Sequence, residues 1–169
     1  FNYHTGASHL LSAIFSQVAG RSMGAYAQEH LFAPLGMESV RWDKDPQGIT
    51  SGGFGIQMTV DDAARFGMLY LQGGQMDGKT LVAEEWIEMA TRKQSTGTTA
   101  FGNYGYQWWV RKFPLDPAVE TYFAMGYGGQ YIMVVPELDA VIVVASDYAG
   151  DKTNEPLRLI QRYLLPEMM

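Results

Sequence analysis

Few side chains in this sequence have the type and spacing that chemistry requires. The three histidines, His4, His9 and His30, occur without a single cysteine in 169 residues and in no His-Glu-x-x-His or comparable ligand spacing, so no metal site and no cofactor is expected. His30 sits near a helix end, where an imidazole complements the helix dipole, and His9 reads as structural in the same way. No serine is followed three residues later by lysine, so the Ser-x-x-Lys arrangement, in which a lysine one helical turn away activates the nucleophile, is absent. What remains is three segments that matter together. Tyr3-His4-Thr5 precedes a helical pattern, Ser51-Gly52-Gly53 precedes a capped helix, and Gly126-Tyr127-Gly128-Gly129-Gln130 opens the first of two apolar strands.

The elements that must position these segments follow from periodicity. Leu10, Leu11, Ile14, Phe15 and Val18 fall at helical spacing and Gly20 supplies the stop. A second helix, with Ser22 as N-cap, ends before Pro34 and makes an αα-hairpin with the first. Residues 41–58 carry turn formers and read as a long ordered loop. Thr59-Val60-Asp61-Asp62 has the form of a capping box ahead of Ala63, Phe66, Leu69 and Tyr70, with Gly73-Gly74 as terminator, and a short helix over 83–91 turns Trp86, Ile87 and Ala90 inward. Tyr104, Tyr106, Trp108 and Val110 alternate as in a strand. Together with Trp109, these aromatics either line an apolar acyl pocket or belong to the core. Residues 130–135 and 140–145 are apolar strands joined by a hairpin turn at Pro136-Glu137-Leu138-Asp139, which calls for helices on both sheet faces. Part of that cover is a last helix over 155–165 that presents Leu157, Ile160 and Leu164.

Taken in order, the three segments resemble the serine β-lactamase and penicillin-binding-protein superfamily, within it the esterase, peptidase and amide-hydrolase branch similar to class C β-lactamases. The likeness covers almost the whole chain. A Tyr-x-Asn or Tyr-x-Ser motif opens a helix in that family, and Tyr3-His4-Thr5 looks like it. The Gly52-Gly53 segment before Thr59 looks like the family's structural signature, and Tyr127-Gly128-Gly129 matches its Lys-Thr-Gly or His-x-Gly motif.

The resemblance implies an α+β, β-lactamase/transpeptidase-like fold, an antiparallel sheet covered by helices. That fold is incomplete here, because the N-terminal part with the Ser-x-x-Lys helix is not in the sequence. Residues 1–95 form the mainly helical part with the tyrosine motif and residues 96–169 the C-terminal strands and final helix of one domain. Tyr3 is implied as the acid/base. A free phenol has a pKa near ~10, so it works as a base near neutrality only beside cations, and the lysine of the missing helix is the implied one. Gly128 and Gly129 would let backbone at the strand edge approach a substrate, with the Gln130 N–H donating to a developing oxyanion; the bland alternative is a glycine bulge in an edge strand. Thr5 stands where β-lactamases carry asparagine and Tyr127 where they carry lysine. Both departures favour an ester, amide or peptide over a β-lactam, and they leave open a non-catalytic binding module that keeps the fold.

Composition narrows the partners. A formal net charge of -6 argues against nucleic acid, and no apolar run approaches the ~20 residues of a membrane helix. The compartment stays open. Phe1-Asn2-Tyr3 runs straight into a helical pattern, so the sequence is expected to begin within a longer protein whose N-terminal segment is its natural partner. Without that segment, apolar surface is expected to be exposed and the isolated chain to associate with itself.

Overall fold

The unit formed by Asn2–Arg65 is organised around α1 (Thr5–Ala19), which stops where Gly20 turns left-handed at φ 65°. The structure is a computed structural model that describes residues 1–147 and 154–169. The helix expected from the apolar spacing is present, and it buries its polar side. Ser12 is fully buried and its hydroxyl donates to the Thr50 carbonyl at 2.6 Å. Leu10, Leu11, Ile14 and Val18 instead are 58–84% exposed. The helical period was right, but it cannot say which element the stripe will meet. Self-association of the isolated chain is thus expected to act through this stripe; sedimentation at tens of micromolar should show dimers or larger species, and a clean monomer would count against it.

α2 (Met23–Ala27) is capped as expected by Ser22, whose hydroxyl accepts the Ala25 N–H. The helix then widens over Gln28–Phe32, where the Ala33 N–H reaches back five residues to the Gln28 carbonyl, and gives way at Pro34 with Phe32, Leu35 and Met37 buried. The ordered loop is an excursion from a short antiparallel pair, β1 (Arg41–Trp42) and β2 (Ile56–Gln57). It leads into α3 (Val60–Leu71) through the expected capping box: Thr59 Oγ1 accepts the Asp62 N–H at 3.0 Å, and Asp62 Oδ2 accepts the Thr59 N–H at 3.4 Å.

The other unit comprises Phe66–Met169 and Phe1. A small hairpin, β3 (Gln75–Met76) and β4 (Lys79–Thr80), precedes α4 (Glu84–Thr91), which buries Ile87 and Ala90 but stacks an exposed Trp86 on Tyr106. Six antiparallel strands follow as a meander: β5 (Ser95–Thr98), β6 (Gly102–Tyr104), β7 (Trp109–Phe113), β8 (Val119–Gly126), β9 (Gln130–Val135) and β10 (Ala140–Val144), neighbours in sequence being neighbours in the sheet. The β9–β10 turn at Pro136–Leu138, closed by Asp139 in the left-handed region, falls where the sequence places it.

Helices cover both faces of β9. On one side Tyr131, Met133 and Val135 pack with Leu157, Ile160 and Leu165; on the other, α3 comes so close that a Cβ on Gly67 would lie 2.5 Å from Val141 Cγ1 and 3.1 Å from Ile132 Cγ2. The final helix, α5 (Glu155–Leu159) and α6 (Leu165–Met168), is joined through a wider turn in which the Leu165 N–H bonds to the Ile160 carbonyl. That extra residue shifts the phase, so Leu165 is buried and Leu164, expected inward, is 42% exposed.

The aromatic run is not one strand. Between β6 and β7 the chain turns, with Gln107 at φ 65° and Gly105 held where a Cβ would lie 2.1 Å from the Ala90 carbonyl oxygen. The break separates the aromatics. Trp108 is buried between Tyr70 and Tyr122, Trp109 joins the core beside Tyr104, and Phe1 packs on both Tyr104 and Trp109. Trp108 and Trp109 are thus core, whereas Tyr106 stays 43% exposed.

Among the described residues, the Tyr131 hydroxyl is a buried polar group left unsatisfied. Tyr131 is 1% exposed, its hydroxyl has no hydrogen-bond partner among the described residues, and burial pushes the phenol up to about 12 against the opposing pull of the Arg111 cation. Above pH ~10 the unfolded phenol ionises while the folded one stays protonated, so stability falls as pH rises through that window. Tyr131→Phe is expected to raise stability by about 1 kcal/mol at pH 7 and to flatten the loss between pH 10 and 12. Urea unfolding at both pH values checks this; a less stable variant at pH 7 would show that the hydroxyl is used.

Candidate active site

The sequence-predicted residues fall into two groups, one in each unit. In the first unit, Tyr3 and Thr5 stand at the start of α1, Thr5 being its first residue and Tyr3 lying 51% exposed ahead of the cap. The cap is His4, a role the sequence reading did not give it: its Nδ1 accepts the Ala7 N–H at 3.2 Å. Histidine is not among the preferred N-cap types, so little in the sequence signals this.

The Gly52-Gly53 segment is what holds that helix end. A Cβ on Gly52 would lie 2.2 Å from the Ser8 carbonyl oxygen, and one on Gly53 would lie 2.5 Å from Thr5 Cγ2 and 2.7 Å from the Thr5 carbonyl oxygen. Neither position has room for a side chain, so the loop backbone rests directly on the first turns of α1. Polar ties fix it there. His9 spans the contact, its Nε2 3.1 Å from Asp45 Oδ2 and its Nδ1 accepting the Gly52 N–H at 3.3 Å. Asp45 also accepts the N–H groups of Gln47 and Ile49, each at 2.9 Å. The Ile49 N–H first, then His9 and the Gln47 N–H, hold its carboxyl below the usual range. The Trp42 indole donates to the Ser51 carbonyl at 2.7 Å. His9 thus has structural partners, and His30 packs at a tilt against Tyr26 with Nε2 3.5 Å from Glu29 Oε1.

Gly20-Arg21-Ser22-Met23-Gly24 has the Gly-x-Ser-x-Gly form of a nucleophile elbow. Ser22, however, lies between two helices and spends its hydroxyl on capping α2, whereas an elbow places the serine on a strand-to-helix turn. No nucleophile is assigned to it.

In the second unit, Tyr127, Gly128 and Gly129 form the turn of the β8–β9 hairpin, closed by the pairing of Gly126 with Gln130. Gly128 and Gly129 both lie in the left-handed region, at φ 81° and 85°, which glycine enters at no steric cost. The resemblance implies that these residues lie on the edge of the active-site strand. The structure sets them at the tip of two inner strands, because β7 and β10 occupy the flanks. Tyr127 projects from this tip, 84% exposed. The missed member of the group is Ser146, whose hydroxyl lies 2.7 Å from the Gly128 carbonyl oxygen and 2.8 Å from that of Gly129, while the Gln130 side-chain amide donates to the Ser146 carbonyl. Nothing in the local sequence around Ser146 announces it. Among the described residues, no group of three or more His, Asp or Glu side chains is placed to hold a metal ion.

Comparison with known proteins gives this geometry a context. Residues 1–164 match the family described as Beta-lactamase. A 6-aminohexanoate-dimer hydrolase of Paenarthrobacter ureafaciens is 27% identical over 91% of the chain. Among solved structures, a Bacillus anthracis protein provisionally assigned as a 6-aminohexanoate-dimer hydrolase superposes with a TM-score of 0.82 at 23% identity over 99% of the chain. A β-lactamase from Mycobacterium bovis gives 0.78 at 23% identity over 98%. The chain spans 41%, 43% and 64% of the lengths of these three proteins.

Proposed function

The chain belongs to the serine β-lactamase and penicillin-binding-protein superfamily, a family of hydrolases with the α+β fold described above, and on that premise we propose that it is the C-terminal portion of a serine hydrolase working through an acyl-enzyme. In this reading Tyr3 relays protons between nucleophile, lysine and leaving group, and the Gln130 N–H donates to the oxyanion of the tetrahedral intermediate. The nucleophile and its lysine lie on a segment outside these residues, so the chain alone is inactive.

The observation that supports the reading is the close seating of the Gly52-Gly53 loop on the helix end that follows Tyr3. A loop with no space for side chains at residues 52 and 53 rests on Thr5 and Ser8, in the first turns of the helix that Tyr3 precedes. The substrate is an ester, amide or peptide. Thr5 is shorter than the asparagine that reaches a β-lactam amide, and Tyr127 offers no cation to a β-lactam carboxylate. A dimer of an amino acid, as in the name of the Paenarthrobacter relative, is itself joined by an amide.

Acyl-enzyme capture tests the proposal. The full-length protein is incubated with a fluorophosphonate probe and with short-chain p-nitrophenyl esters, beside this chain alone. Labelling and turnover are expected in the first and neither in the second. A folded full-length protein that takes no label would sink the hydrolase reading and make a binding module that keeps the fold the better one.

A further inference from the structure

His4 differs from the usual helix caps in one respect: an imidazole nitrogen accepts a hydrogen bond only while the ring is neutral. Its Nδ1 accepts the Ala7 N–H at 3.2 Å, which leaves Nε2 to carry the ring proton. The same N–H lies 3.0 Å from the His4 carbonyl oxygen, so the ring and the main chain of one residue close on one donor. Gly6 makes room for this. A Cβ there would lie 2.9 Å from His4 Cε1 and 3.2 Å from Nδ1, so the ring lies down over the first turn of α1. Protonation at Nδ1 undoes the arrangement in two ways. It sets N–H against N–H across the cap, and it adds a positive charge at the helix end whose own dipole is positive. Among the described residues, nothing that meets this turn brings an acid to the charged ring. The first turn of α1 has none, Gly52 and Gly53, which rest on it, carry no charge, and the titratable side chains on these elements are Tyr3, ahead of the cap, and His9, whose ring is engaged by Asp45.

We propose that His4 is a positioning residue that makes the presentation of Tyr3 depend on pH: the neutral ring pins the residue after Tyr3 to the first turn of α1, and protonation releases it. The inference rests on the hydrolase reading, in which Tyr3 is the acid/base, and deepens it. His4 touches no reacting atom. Its backbone, extended at φ -141° and ψ 101°, joins Tyr3 to the helix, so any freedom that His4 gains passes directly to the phenol one residue ahead. Histidine is the side chain whose charge ordinarily changes between pH 5 and 8, which sets the release within the range where a hydrolase near neutrality would meet it.

The test uses the full-length protein with His4→Asn and His4→Ala, read at steps from pH 8 to pH 5 by the rate of fluorophosphonate labelling and by kcat and KM for p-nitrophenyl butyrate. Thermal melting at each pH keeps unfolding out of the rates. Asparagine caps a helix through an oxygen that does not titrate, and alanine does not cap at all. At pH 8, His4→Asn should label within about twofold of wild type and His4→Ala about threefold to tenfold more slowly, the range that one cap hydrogen bond commands. From pH 8 to pH 5 the wild-type rate should fall against that of His4→Asn by about the same factor, while the ratio of His4→Ala to His4→Asn stays constant. Titrations that the three proteins share cancel in these ratios. The fall should appear in kcat, with KM within about twofold. A constant ratio of wild type to His4→Asn over the whole range, or a His4→Ala that labels like wild type at pH 8, would overturn the inference and leave the hydrolase reading intact. A folded wild type that takes no label and turns over no ester at any of these pH values would overturn both.

Discussion

Tyr3→Phe in the full-length protein is expected to slow acyl-enzyme formation by roughly 10²–10⁴-fold, the usual worth of a positioned general acid/base, with thermal stability almost unchanged. The two expectations come from different features of one residue. The hydroxyl is the only group removed, so packing of the ring is kept, and a contact of the hydroxyl at this half-exposed position is worth no more than about 1 kcal/mol to folding. A large kinetic loss with an unmoved melting curve is therefore the signature of chemistry at the hydroxyl. The split between parameters is informative as well. A group that acts mainly in the transition state lowers kcat and kcat/KM together and leaves KM nearly as it was. Fluorophosphonate labelling should slow in parallel, because attack on the probe needs the same proton transfer. Labelling within about threefold of wild type would remove Tyr3 from the acid/base role.

The parts of this molecule that were legible in its sequence are those decided locally. The Thr59–Asp62 capping box, the Ser22 cap and the β9–β10 turn each depend on a few adjacent residues whose hydrogen bonds and backbone angles are set by type. What stayed hidden depends on partners distant in the chain. The apolar stripe of α1 has helical period, yet its polar side is the one packed, because Ser12 and His9 meet carbonyl, amide and carboxylate groups of a loop some forty residues away. The phase shift before Leu165 needs one wide turn that no composition rule demands. β8 has the inward alternation Val119, Thr121, Phe123, but it puts a threonine among the core positions, satisfied only by donating to the Arg111 carbonyl of the neighbouring strand. Of the site residues, the tyrosine motif and the glycine turn could be found by resemblance in order and spacing. Ser146 could not, since its hydroxyl reaches across the sheet end to lie within hydrogen-bond distance of carbonyls 17 and 18 positions earlier.

Gly52→Ala is the substitution expected to cost most in stability, and the reason is contact rather than backbone conformation. The added methyl would lie 2.2 Å from the Ser8 carbonyl oxygen, 2.9 Å from the Ser8 carbonyl carbon and 3.0 Å from His9 Cα, all backbone of α1. No rotamer change can relieve such contacts, so the loop must retreat by on the order of 1 Å. Retreat stretches the Gly52 N–H bond to His9, already 3.3 Å, and strains the Ser12 bond to Thr50 and the Trp42 bond to Ser51. Overpacking of this kind costs about 1–3 kcal/mol, and each weakened buried hydrogen bond adds about 1 kcal/mol, so a loss on the order of 3 kcal/mol is expected. Gly48→Ala is the control. Gly48 sits at φ 83° with no atom within 4 Å of an added Cβ, so alanine there meets only the left-handed penalty of about 1 kcal/mol. Thermal melting should therefore rank wild type above Gly48→Ala and that above Gly52→Ala by a clear margin. Equal costs for the two alanines would mean that the loop does not press on α1. In the full-length protein the same displacement loosens the turn that presents Tyr3, so Gly52→Ala should also lower the acylation rate of the molecules that remain folded, whereas Gly48→Ala should leave that rate as it is.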